Sequence, residues 1–203
     1  MIIRLAKPEL MNIANNTGEV FIGGSQDWYE DKWHKKSGCG PVAATNLVYY
    51  QMRRSGLDSD YFLLMREMYD YVTPTLRGVN SSGIFTAGVE RFATANGIQI
   101  STVALDIPKK KRDRPRSEKL KEFIVTSLNM DSPVTFLNLS NGAVSKLQSW
   151  HWVTIIAIDA DKMLIEISDY GKIIEINISE WLETSMLGGA MVYIITRHSG
   201  YQS

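Results

Sequence analysis

The sequence predicts an α+β fold, with an N-terminal helical part packed on a C-terminal antiparallel β-sheet. Three observations predict it. Apolar residues recur at helical spacing from Gly40 to Asn96 and again from Ser117 to Met130. β-Branched runs fill most of the chain from Pro133 to Thr196. The segments Asp159-Ala160-Asp161-Lys162 and Asp169-Tyr170-Gly171 between those runs are short, which implies antiparallel hairpins. Helices and strands segregated in this way form layers around one core.

Taken in order, residues 1–38 read as irregular, with one or two short strands. Asn15-Asn16-Thr17-Gly18 and Gly23-Gly24 are turn signals around the strand-like Val20-Phe21-Ile22. A helix is expected from Gly40, with Pro41 at its first position, where a missing N–H costs nothing, and Ala44, Leu47, Val48 and Met52 on one face. Gly56 ends it, and Asp58 caps a second helix to about Tyr71. Ser82 starts a third, which stops at Gly97. Residues 98–105 alternate as a strand, and Ser117 opens a helix to about Met130. Strands follow at 133–139, 150–158, 163–168 and 172–178. Ser179 caps a short helix before Gly188-Gly189 and the last strand, AMVYIIT. The run KKKRDRPR at 109–116 reads as a solvated, mobile loop, with a nuclear-import signal or a nucleic-acid patch as the alternative.

At 203 residues the chain suits a single domain, with a helical part at about 39–130 and a β-rich part at about 131–197. Twenty-two basic residues balance twenty-two acidic ones, so no global field favours nucleic acid or a membrane surface as partner. No run approaches the length of a membrane span, and the N-terminus lacks the apolar region of a signal peptide, so a cytoplasmic location is expected. One cysteine excludes an internal disulfide and a cysteine-based zinc site; no metal or cofactor is expected.

The groups able to do chemistry near neutral pH are few: Cys39 and His34, His151 and His198. Cys39 lies where a glycine loop meets a predicted helix. Unpaired backbone N–H groups and the helix dipole favour negative charge there, so the thiol is expected to ionise readily and act as a nucleophile. Gly38 and Gly40 leave room for a substrate carbonyl, and the Cys39 N–H is placed to donate to an oxyanion. A buried, inert cysteine in a glycine turn fits the local composition as well. Of the candidate bases, His34 shares the loop with Cys39, and His198 is close to the C-terminus. His151 begins a strand, which holds a side chain rigidly. Equal spacing about the 159–162 turn puts His151 opposite residues 169–170, so Asp169 is its expected cross-strand neighbour and orienting acid. Gln26 offers a side-chain amide as a second oxyanion donor. Trp28 before Cys39, and Trp150 and Trp152 around His151, either line a cleft or fill the core.

The string GCGPVAA opening a helix, the HWV strand and the SDYG turn, in the order Cys, His, Asp, resemble the papain-like cysteine peptidases. The nearest group is that of the bacterial bacteriocin-processing, double-glycine-leader peptidases and their stand-alone relatives. The resemblance covers roughly residues 20–197. It implies a papain-like fold, with Cys39 as nucleophile, His151 as base, Asp169 as orienting acid and Gln26 as the oxyanion glutamine. Trp28, Gly38, Gly40, Trp150 and Trp152 are the expected substrate contacts, and a peptide or amide the expected substrate. The CGSCW-type string of papain itself is absent, and the gap from Gln26 to Cys39 is longer than the group usually shows. An acyl or peptidyl transferase on the same triad and a non-catalytic peptide-binding module are the alternatives.

Overall fold

The computed structural model describes residues 1–15 and 18–196. Asn16 and Thr17, in the middle of the first expected turn, and His198 lie outside the described residues. The strands are β1 (Ile2–Arg4), β2 (Asn12–Ala14), β3 (Val20–Ile22), β4 (Ile100–Ile107), β5 (Val134–Asn138), β6 (His151–Asp159), β7 (Leu164–Asp169), β8 (Lys172–Asn177) and β9 (Gly189–Thr196). The α-helices are α1 (Lys32–Ser37), α2 (Cys39–Arg54), α3 (Tyr61–Tyr71), α4 (Ser82–Ala95), α5 (Ser117–Asn129) and α6 (Ile178–Thr184).

The main sheet has the order β4-β9-β5-β6-β7-β8, and β1 pairs with the far end of β6. Its pairings are antiparallel, so the architecture is α+β as expected. The layering differs from a single helical layer on one face. Alternate residues of β5, β6 and β9 point to opposite sides, as the strand pleat requires. Leu137, Trp152 and Val192 join a core with α2, α3 and α4. Phe136, Val153 and Met191 join a second core with Leu120 and Ile124 of α5 and Trp181 of α6. The sheet is therefore covered on both faces. β4 belongs to the sheet although it lies within the stretch read as helical.

Local signals explain most boundaries. Asp60, rather than Asp58, caps α3 by accepting from Phe62 N and Leu63 N. Ser81 caps α4 through Ile84 N, and Asn177, rather than Ser179, caps α6. The helix α2 begins at Cys39, so Pro41 is its third residue, still inside the turn whose N–H groups need no intrahelical partner. The N-terminal stretch holds more structure than its sequence shows: three strands, two 3-10 turns and α1. The helix α1 is capped by Asp31, whose carboxylate accepts from Trp33 N and His34 N, but at six residues it carries too little periodicity to read. No described helix is long and apolar enough to cross a membrane.

The basic loop is folded rather than free. Arg114 donates from Nε to Pro108 O at 2.8 Å, from Nη1 to Leu182 O at 2.8 Å and from Nη2 to Lys109 O at 3.0 Å. One guanidinium thereby holds the loop against the end of α6, and its five donors explain why an arginine does this.

Candidate active site

Cys39, the first residue of α2, is 9% exposed, and no side chain caps the helix there. It sits between two cavities. One is a small polar pocket that it shares with Gln26, His151, Asp169 and Tyr170. The other is a groove of about 540 Å³ lined by Leu76, Val79, Leu137, Leu139, Trp33 and Trp150, among others.

His151 and Asp169 are brought together by β6 and β7. His151 Nε2 lies 2.7 Å from Asp169 Oδ1, with both residues buried. The register differs from the expected one. Thr154 pairs with Ser168, so Asp169 falls beside Val153, and it reaches His151 diagonally. The hairpin turn is centred later in the chain than the 159–162 spacing implied, and a bulge at Ile156 shifts the pairing. The diagonal still lies within side-chain reach.

Burial opposes charge on His151, but hydrogen bonding to Asp169 and to Cys39, with the charges of both, overcomes it and raises the imidazole to about 10 from its ordinary 6.5. With Nε2 turned to Asp169, Nδ1 is the nitrogen left for Cys39. The Tyr170 ring stacks on the imidazole at 5.4 Å, with 13° between the planes. Sequence reasoning missed Tyr170; its place directly after Asp169 in a tight turn was the available signal. Trp150, just before His151, and Tyr170, just after Asp169, both have left-handed backbone, with φ of 59° and 48°. For bulky residues this costs on the order of 1–3 kcal/mol each and concentrates at working sites.

The structure brings Gln26 to the same pocket. The gap to Cys39 is taken up by a 3-10 turn at Gln26–Trp28 and by α1, whose compact rise returns the chain to the pocket. Gln26 Nε2 donates to Lys35 O at 2.6 Å, and its buried Oε1 has no partner among the described residues. An amide nitrogen carries two hydrogens, so one is still available to a ligand.

Behind this loop, Asn46 of α2 accepts from Gly24 N at 3.0 Å and from the Tyr61 hydroxyl at 2.7 Å, and donates to Thr154 Oγ1 at 3.0 Å. A Cβ on Gly24 would stand 2.0 Å from the Tyr61 hydroxyl, and Tyr61 is only 3% exposed. Gly24→Ala is therefore expected to lower unfolding stability by about 1–3 kcal/mol, the range for overpacking, in a urea melt.

The remaining expected residues divide. Trp150 is 50% exposed and lines the groove. Trp152 is buried in the core, stacked on Phe85, but lines the polar pocket, and its Nε1 donates to Val79 O at 2.5 Å, which fixes one groove wall. Trp28 lines neither cavity; it packs on Phe21, Tyr61 and Phe62 and anchors the Gln26 loop. Gly38 and Gly40 meet protein rather than open space. A Cβ would come within 2.5 Å of His34 O at Gly38, and within 2.7 Å of Val79 at Gly40. His34 stacks on Tyr69 at 3.8 Å and lines neither cavity. No cluster of metal-ligating side chains occurs among the described residues. Neither a protein-family model nor a curated protein matches this chain.

Proposed function

We propose that this protein is a papain-like cysteine peptidase, which breaks a peptide or related amide bond through an acyl-enzyme. One observation carries the reading: the buried His151–Asp169 pair shares a pocket with a free cysteine at the start of α2, beside a groove able to hold a chain. A free thiol at work fits a reducing, cytoplasmic setting.

The chemistry follows from the arrangement. His151 Nδ1 takes the Cys39 proton, and Asp169 holds the resulting imidazolium in place. The sulfur attacks the substrate carbonyl, forming a C–S bond while the carbonyl electrons move to oxygen. The Cys39 N–H and the Gln26 amide stabilise that oxyanion. Collapse breaks the C–N bond, and His151 gives its proton to the departing amine. Water, deprotonated by His151, then attacks the thioester and releases the acid, with the proton returned to sulfur.

A peptide-library digestion read by mass spectrometry tests this. New amino and carboxyl termini are expected with the wild-type chain and none with Cys39→Ala. Intact peptides after prolonged incubation across several libraries would overturn the peptidase reading. Gln26 has a separable part. Gln26→Ala is expected to lower kcat by about 10²–10³-fold, because it removes a donor used only at the transition state. Alkylation of Cys39 by iodoacetamide needs no oxyanion donor and should continue at nearly the wild-type rate.

A further inference from the structure

The basic loop, which the mechanism leaves unused, lies at the same end of the sheet as Cys39. Four paired Cα positions cross that end in one row: Ile107 with Gly189, Gly189 with Asn138, and Asn138 with His151. Three strand spacings separate Ile107 from His151, roughly 14 Å. Leu139, on the groove wall, donates its N–H to Gly188 O at 3.1 Å, and Gly188 packs directly on the carbonyls of Ile107 and Pro108. Lys109 is the next residue.

From that point Lys109, Lys110, Lys111, Arg112 and Arg116 are all exposed. Arg112 pairs with Asp113 at 3.6 Å; the three lysines and Arg116 have no ion-pair partner among the described residues. Arg114 fixes the backbone that presents them, so the cluster is a shaped surface. The groove itself adds Lys36 and Arg77; among the described residues neither has an ion pair and no carboxylate lines the groove. This local excess of cations stands in a chain whose net charge is zero.

We propose that Lys109, Lys110, Lys111 and Arg116 bind an acidic stretch of the polypeptide substrate whose scissile bond is held at Cys39. This rests on the peptidase reading for the place of the bond. A polypeptide fits the surface better than nucleic acid does, because the loop carries no aromatic side chain on which a base can stack.

The test uses full-length protein alkylated at Cys39, so binding is read without turnover. Fluorescence anisotropy compares a labelled peptide carrying three consecutive glutamates with its glutamine counterpart and with a mixed-sequence DNA strand of equal charge. The glutamate peptide is expected to bind about tenfold tighter than the glutamine peptide, the sum of a few exposed ion pairs, and the preference should fade with added salt. The Lys109→Glu, Lys110→Glu, Lys111→Glu triple variant should lose the preference while melting at the wild-type temperature; the triple change to glutamine serves if charge reversal impairs folding. Equal affinity for the two peptides, a preference that survives in the triple variant, or tighter binding of the DNA overturns the proposal. With unalkylated protein, cleavage of both peptides at one rate overturns the docking surface and leaves the peptidase reading. A binding preference without cleavage supports the docking surface, and the library digestion then decides the peptidase reading.

Discussion

Cys39→Ala is expected to abolish hydrolysis of every peptide that the wild-type chain cleaves, a loss of about 10⁶-fold in kcat, as when a triad nucleophile is removed. The magnitude follows from the absence of a substitute. Cys39 is the chain's single cysteine, and among the described residues it alone borders both the polar pocket with His151 and the groove. The same fact makes a labelling experiment clean, because iodoacetamide adds one group per chain or none. Labelling is expected to be rapid at pH 6 in the folded protein, where His151 is protonated beside the sulfur. His151→Ala should slow it. Labelling that requires denaturation would mean that Cys39 is an inert, buried thiol, and the nucleophile would have to be sought elsewhere.

Asp169→Asn is expected to lower kcat by about 10⁴-fold and to move the alkaline limb of the pH–rate profile to lower pH. The sign follows from the charges. Asp169 and Cys39 both favour the imidazolium form of His151 and outweigh the effect of burial, so its folded value stands near 10, above the ordinary 6.5. The wild-type limb should therefore fall near pH 10. Without the Asp169 carboxylate the imidazolium loses its main partner, and activity should begin to fail at lower pH. Stability carries the same signature. A group whose folded value is raised contributes fully below about pH 6.5 and loses that contribution as pH rises through about 10. Thermal melts over that range should show the decline in the wild type and lack the His151 part of it in His151→Ala. Of the neighbours facing the ring, Tyr170 is raised to about 12 by burial and by the charge of Asp169, and so titrates above the window. An unchanged alkaline limb in Asp169→Asn would show that the carboxylate does not hold the imidazolium.

The sequence by itself determined the secondary structure wherever a face repeats. From α2 to β9 the periods of helix and strand, with capping and turn residues, locate every α-helix and strand to within a few residues. It also singled out Cys39 and His151, because so few side chains in this chain can do such chemistry, Asp169 through its spacing across the hairpin, and Gln26 through its amide and the family resemblance. Tertiary structure decided what depends on distant partners. The helix α1 and the strand β1 are too short to show a pattern; α1 stands on the Asp31 cap and on Tyr29 and Tyr69, which meet His34, and β1 on its pairing with β6. Two helical layers instead of one follow from where α5 and α6 pack, since alternation along a strand says that both faces are apolar but not what covers them. The basic loop is ordered because Arg114 finds the Leu182 carbonyl, 68 residues away. Gly38, Gly40 and Trp28 show the same limit. Composition marks such residues as special, but whether a glycine admits a substrate or a neighbouring side chain depends on which chain segment folds against it, and that is set by packing across the whole domain.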